Sequence, residues 1–339
     1  MRTWIVAAAA LGVAALLSGG ASAQQIEKKD LKLAVGGKPL LYYLPLTLAE
    51  RLGYFKDAGL NVEISDFGGG AKSLQALIGG SADVVTGAYD HTIQMQAKNQ
   101  PVVAVVELGR FPGIVLANVK KSGEIKDVKD LKGKKIGVTA PGSSTNFMVN
   151  YMLVQNGLKP DDVSFIGVGG SASAVAAVKR GEIDAISHLD PVISQLQNDG
   201  DITIMADTRT EEGTRQVYGG PYPAAVLYAK PDFIQQNPNT VQALVDAFVR
   251  TLKWLETASA DDVVKVLPEE YFLGNKDLYK SALERSRPTY SRDGRIPKEG
   301  AENAYKVLKA FDPAVASAPI DLSKTYTDTF VEKAKTQVK

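Results

Sequence analysis

One stretch of this sequence occurs twice. Residues 68–85 and 169–186 align without a gap at an offset of 101, and Gly68 falls on Gly169, Gly69 on Gly170, Ala71 on Ala172, Ala76 on Ala177, Gly80 on Gly181 and Asp83 on Asp184. The apolar positions Leu74, Leu77 and Val85 fall on Val175, Val178 and Ile186. Agreement at turn glycines and core positions together reads as one supersecondary unit used twice. Chance likeness between two α/β segments, the competing explanation, has to account for both kinds of position at once.

Each copy reads as βαβαβ. In the first, a strand from Leu31 to Val35 leads through Gly36-Gly37 into a helix that opens near Pro45 and stops at Gly59. A strand from Val62 to Phe67, three glycines, a helix from Ala71 to Ile78 and a strand from Asp83 to Thr86 follow. In the second, the strands run Lys135–Thr139, Val163–Val168 and Asp184–Ser187, with helices between. Strands and helices alternating across short Gly-rich joints predict two α/β lobes, Rossmann-like, with sheets dominated by parallel pairs. After residue 200 come strands from Ile202 to Ala206 and from Ala225 to Ala229, then mainly helix. From Pro238, the residues Val241, Leu244, Val245, Phe248, Leu252 and Leu255 make one apolar stripe, which is expected to pack on the first lobe's sheet. The chain then crosses between lobes near Gly113–Val119 and again near Pro221–Leu227. That makes lobe 1 residues 24–116 with 226–339 and lobe 2 residues 117–225, joined by a two-strand hinge.

The first 23 residues read as an address. Met1-Arg2-Thr3 is a short positive start, Trp4 to Leu17 is apolar, and Ala21-Ser22-Ala23 fits a small-x-small cleavage site. A membrane anchor needs roughly 20 apolar residues, and this run is broken earlier by Ser18-Gly19-Gly20. A signal peptide cleaved near Ala23 and a periplasmic mature chain are therefore expected. The 39 Lys and Arg against 38 Asp and Glu leave no bulk field for a polyanion, so no nucleic-acid partner is expected. The absence of cysteine removes disulfides, iron–sulfur clusters and thiol catalysis together.

Leu46-Thr47-Leu48-Ala49-Glu50-Arg51-Leu52-Gly53-Tyr54-Phe55, followed by Gly59-Leu60-Asn61-Val62-Glu63, is similar to the nitrate/sulfonate/taurine branch of periplasmic solute-binding proteins of ABC importers. Gly68-Gly69-Gly70 through Asp83-Val84-Val85, and Asp130-Leu131-Lys132-Gly133-Lys134-Lys135-Ile136-Gly137-Val138, carry the same signature. The resemblance covers the whole mature chain. It implies a type II periplasmic binding protein fold, jaw-like closure on a small molecule, and delivery to permease subunits in another chain. Related pyrimidine-synthesising enzymes of this fold use a cysteine-rich iron motif, which a chain without cysteine cannot carry.

In parallel α/β lobes, ligands sit beyond the carboxyl ends of the strands, so the strand-to-helix turns are the place to look. Ser143, Ser144 and Thr145 put three hydroxyls at a helix start, beside free amides and the positive end of the helix dipole. This suits an anion, although one hydroxyl would also serve as a plain cap. Lys38 with Leu41, Tyr42 and Tyr43 offers one positive charge and an aromatic wall, or simply packing. Gly70 and Ala71 bring backbone close to a ligand. Tyr89, Asp90 and His91 follow one third strand, and His188 and Asp190 follow its counterpart. The two aspartates double as helix caps, and the histidines are placed to face each other across a cleft. Tyr218 lies near the second crossing. Two histidines without a third ligand make no metal site, and no nucleophile stands with its base. The expectation is a monomeric, cofactor-free, non-enzymatic receptor for a small organic anion. An enzyme on the same fold and a sensor-coupled binding protein are the alternatives.

Overall fold

The structure, a computed structural model, describes residues 25–338, so the predicted leader and its cleavage site lie outside the described residues. Among the described residues there are ten strands: β1 (Asp30–Val35), β2 (Asn61–Asp66), β3 (Val84–Ala88), β4 (Val103–Glu107), β5 (Val115–Val119), β6 (Lys135–Val138), β7 (Ser164–Gly167), β8 (Ala185–His188), β9 (Ile202–Asp207) and β10 (Ala225–Ala229). They form two five-stranded sheets, ordered β2-β1-β3-β10-β4 and β7-β6-β8-β5-β9. In the first sheet β1 pairs in parallel with β2 and β3, while β10 runs antiparallel between β3 and β4. The second sheet repeats this with β5 antiparallel between β8 and β9. The interior strands β3, β5, β8 and β10 are buried at every residue, so they show no alternation of apolar and polar positions, and the polar side chains they carry, Thr86, Asn118, Ser187 and His188, are buried too.

The chain leaves the first sheet after Glu107 and enters the second at Val115; it leaves the second after Asp207 and returns at Ala225. Divided by sheet, the joints are therefore 108–114, five residues ahead of the expected crossing at 113–119, and 208–224, which begins 13 residues ahead of the expected crossing at 221–227 and ends three ahead of it. The second joint contains a short helix, Glu211–Tyr218.

All six residues of the stripe on helix Pro238–Thr257 are buried. The helix packs on the first-sheet side, against helices Leu44–Arg51, Tyr54–Asp57 and Thr329–Gln337 and against β4. Phe248 meets Phe55 edge to face with centroids 5.4 Å apart. Such pairs contribute about 0.5–1.5 kcal/mol beyond their area, so Phe248→Leu is expected to cost about 1 kcal/mol in urea unfolding. The helical tail also bears on the second sheet's helices. Lys276–Ser286 packs on Val192–Asn198, where Arg285 donates to Ser194 Oγ at 2.7 Å, and Lys298–Phe311 packs on Ser144–Gln155.

Candidate functional site

The turns that leave β1, β2 and β3 meet those that leave β6 and β7, edge against edge. The repeated glycines make this approach possible. A Cβ built on Gly170 would lie 2.7 Å from Gly37 Cα, and one on Gly69 would lie 2.6 Å from Ala140 Cβ. Hydrogen bonds cross the same seam. Ala71 N–H donates to Ser143 Oγ at 2.9 Å, Ser144 Oγ donates to Asp90 Oδ2 at 2.6 Å, and Leu41 N–H donates to the Asp190 carbonyl at 2.9 Å. His91 Nε2 donates to the Gly142 carbonyl at 3.2 Å, which leaves Nδ1 to accept from the Tyr228 hydroxyl at 3.4 Å. Between these turns lies a cavity of about 20 Å³ lined by, among others, Leu40, Tyr42, Tyr43, Gly70, His91, Ser143, Ser144 and Thr145. That is close to the space one water requires, so anything larger enters only if the two sheets move apart. A larger hollow of about 310 Å³ around Arg287, Tyr290 and Arg292 is built without any turn from the second sheet.

Asp90 dominates the electrostatics. It is 1% exposed, Tyr222 adds a second hydrogen bond to Oδ2 at 3.4 Å, and Oδ1 is buried without a partner. Burial pushes its carboxyl above the ordinary range, opposed by His91 and by the bond from Ser144. Burial also holds His91 below its ordinary range, which keeps the imidazole neutral. Tyr218 stacks between Tyr151 and Tyr222 at 5.9 and 4.2 Å, and Tyr42 meets Tyr43 edge to face at 4.8 Å. Burial raises the Tyr42, Tyr218, Tyr222 and Tyr228 hydroxyls well above their ordinary range, with the Asp90 charge adding to it. Among the described residues no group of three or more His, Asp or Glu is arranged for a metal ion.

The structure thus brings together Tyr42, Gly70, Ala71, Asp90, His91, Ser143 and Ser144. Other expected site residues are occupied elsewhere. Lys38 Nζ sits 2.6 Å from Glu50 Oε2. Leu41 packs in the cluster beneath helix Leu44–Arg51, and its neighbour Leu40 lines the cavity instead. The Tyr89 hydroxyl is bonded to Thr325 Oγ1 at 2.7 Å. Thr145 lines the cavity, but its hydroxyl is bonded to Thr139 Oγ1 at 2.9 Å. His188 does not reach across: its Nε2 donates to the Gly169 carbonyl on its own side at 2.7 Å. Asp190 does serve its helix, accepting from Ser194 N–H, and also pairs with Arg209 at 3.2 Å. Asp90 makes no such cap, because Tyr89 holds the N-cap position and the carboxylate turns toward Ser144. Tyr222 and Tyr228 were not anticipated; the Gly/Pro/Tyr-rich joint was the available signal for the first, and a buried strand position gives none for the second.

Comparison with known proteins agrees with this architecture. A protein of Bordetella bronchiseptica RB50 is 51% identical, with a TM-score of 0.90 over 93% of this chain and 99% of that one. The alkanesulfonate-binding protein SsuA of Xanthomonas axonopodis pv. citri, solved bound to MOPS, shares the fold at 18% identity, with a TM-score of 0.68 over 90% of this chain and all of that one. A 4-amino-5-hydroxymethyl-2-methylpyrimidine phosphate synthase of Aspergillus parasiticus is 27% identical over 262 residues, 74% of each chain. Residues 41–257, more than half of the chain, match the family described as NMT1/THI5 like, and the chain belongs to that family.

Proposed function

We propose that this chain is the extracytoplasmic solute-binding component of an ABC importer, which closes two lobes on one small molecule and hands it unchanged to permease subunits in another chain. The observation that carries this reading is the set of hydrogen bonds that pair Ser143, Ser144 and Gly142 with Ala71, Asp90 and His91, which join two sheets around a small cavity. A molecule touching both sides of that seam favours the closed form by its differential affinity. The lobes are taken as 24–116 with 226–339, and 117–225, hinged at the two joints. No helix among the described residues is long and apolar enough to cross a membrane, so docking on a permease falls to the exposed faces of the lobes. The hydroxyl turn by itself would suit an anion; the Asp90 carboxylate bonded to it does not.

The test is native mass spectrometry of the protein purified from its host, followed by gentle stripping and X-ray scattering. A stoichiometric small molecule is expected, released intact, whose removal expands the protein and whose return compacts it. Conversion of that molecule into product on incubation would instead favour an enzyme of the synthase kind.

A further inference from the structure

We propose that residues 269–286 form a latch, an arm rooted in the first lobe that clips Leu273 and Arg285 onto the second and so helps to hold the closed form by contacts outside the cavity. This rests on the two-lobed receptor reading given above. The first observation is a strained turn. The Asn275 N–H donates to the Phe272 carbonyl at 2.9 Å across Leu273 and Gly274, which carry φ of 49° and 81°. Positive φ at both central positions is the type I′ pattern, which glycine, asparagine and aspartate dominate. A bulky aliphatic residue there is an outlier. Its conformation is imposed from within the first lobe: the turn Glu269–Phe272 precedes it, and Asn275 Oδ1 caps helix Lys276–Ser286 by accepting from Leu278 N–H at 3.0 Å. Local stability alone would therefore favour glycine or asparagine at 273.

The second observation is what the strained side chain touches. Tyr271, Phe272, Tyr279 and Leu283 are buried in one cluster with Leu41, Leu44 and Leu48, which roots the arm in the first lobe. Leu273 instead packs on a different cluster, whose buried members, Val168, Val178 and Ile193 among them, all lie between residues 115 and 202 of the second lobe. Farther along the same arm Arg285 donates to Ser194 Oγ at 2.7 Å, and Ser194 in turn donates to Asp190 Oδ1 at 2.6 Å. Neither Leu273 nor Arg285 lines the cavity. Contacts that exist only when the lobes meet stabilise the closed form by themselves. They also raise the affinity for a solute they never touch, because they enlarge the fraction of protein competent to hold it.

Distances between two nitroxides test this. The chain has no cysteine, so Lys56→Cys and Asp161→Cys, exposed sites on opposite lobes, take the labels without competition. Double electron–electron resonance on the protein as purified gives the closed distance. After any co-purified molecule is stripped away, a closed population is still expected beside the open one. Leu273→Asn suits the left-handed turn, so it is expected to keep or raise the melting temperature while cutting the closed-to-open ratio about threefold or more. Arg285→Ala is expected to cut the ratio likewise, and Leu273→Met, which keeps an apolar contact, to preserve it. An unchanged ratio in Leu273→Asn, an equal fall in Leu273→Met, or no closed population in the stripped protein overturns the latch. Should Leu273→Asn fail to fold, Arg285→Ala decides alone. A protein that closes unaided but responds to no co-purified solute keeps the latch and loses the receptor role. One that closes on its solute, with Leu273→Asn closing equally well, loses the latch alone.

Discussion

Gly69→Ala is expected to wedge the closed form and weaken ligand binding by roughly five- to 150-fold, with little change in the stability of the open protein. The added methyl would sit 2.6 Å from Ala140 Cβ and 3.0 Å from the Thr139 carbonyl oxygen, both rigid atoms of the turn after β6. The backbone at Gly69 is extended, with φ of −169°, so alanine adopts it without strain and the penalty is confined to the contact. Overpacking of this kind costs about 1–3 kcal/mol, and every 1.4 kcal/mol is tenfold in affinity. Gly170, whose Cβ would fall 2.7 Å from Gly37 Cα, offers the same experiment from the other sheet. Calorimetry with the co-purified solute gives the affinity, and X-ray scattering reports the shape. A Gly69→Ala protein that binds at full strength and stays compact would remove the glycine seam from the closing mechanism.

The second large effect is on stability. Arg209→Leu is expected to cost about 3–5 kcal/mol, the range for removing one partner of a buried ion pair. Arg209 is 7% exposed and Asp190 is 2% exposed, and the guanidinium also grips Asp207 through Nε at 3.0 Å and a terminal nitrogen at 2.6 Å. Without it, Asp190 keeps only the neutral donors of Ser194, its N–H and its hydroxyl. The double variant Arg209→Leu, Asp190→Leu should recover much of the loss, since replacing a whole buried pair by apolar groups is often close to neutral. Urea unfolding of the two single variants and the double closes the cycle. Additive losses would show that the pair acts as two independent groups.

The fold was legible because its glycines and core positions repeat. The strands assigned from that repeat lie within two residues of those observed, and β10 matches residue for residue. Neither β4 nor β5 was identified as a strand. Both flank the first joint, and β5 lies inside the sequence assigned to the crossing itself, so a change of sheet and a strand were read as one feature. The candidate site was legible only in part, for a different reason. Strand-to-helix turns can be found from local pattern, which is how Gly70, Ser143 and Ser144 came forward. Partnership across a seam cannot. Glu50 claims Lys38 from a helix that follows its turn, and Asp90 looked like a cap because the helix start is set one residue earlier, at Tyr89. The tyrosine wall assembles only when β10 returns to the first sheet, bringing Tyr222 and Tyr228 from more than 100 residues away.

That return also fixes an order of assembly. The five strands of the second sheet are encoded contiguously, from Val115 to Asp207, whereas the first sheet lacks its interior strand until β10 has been made. Until then β3 and β4 each present an unpaired edge, the kind of surface on which chains aggregate. A product that stops short of residue 225 therefore carries one complete sheet, tethered to a three-stranded sheet and a lone β4 whose facing edges are both open. Newly made chains of this design are best kept from collapsing until their last third has emerged.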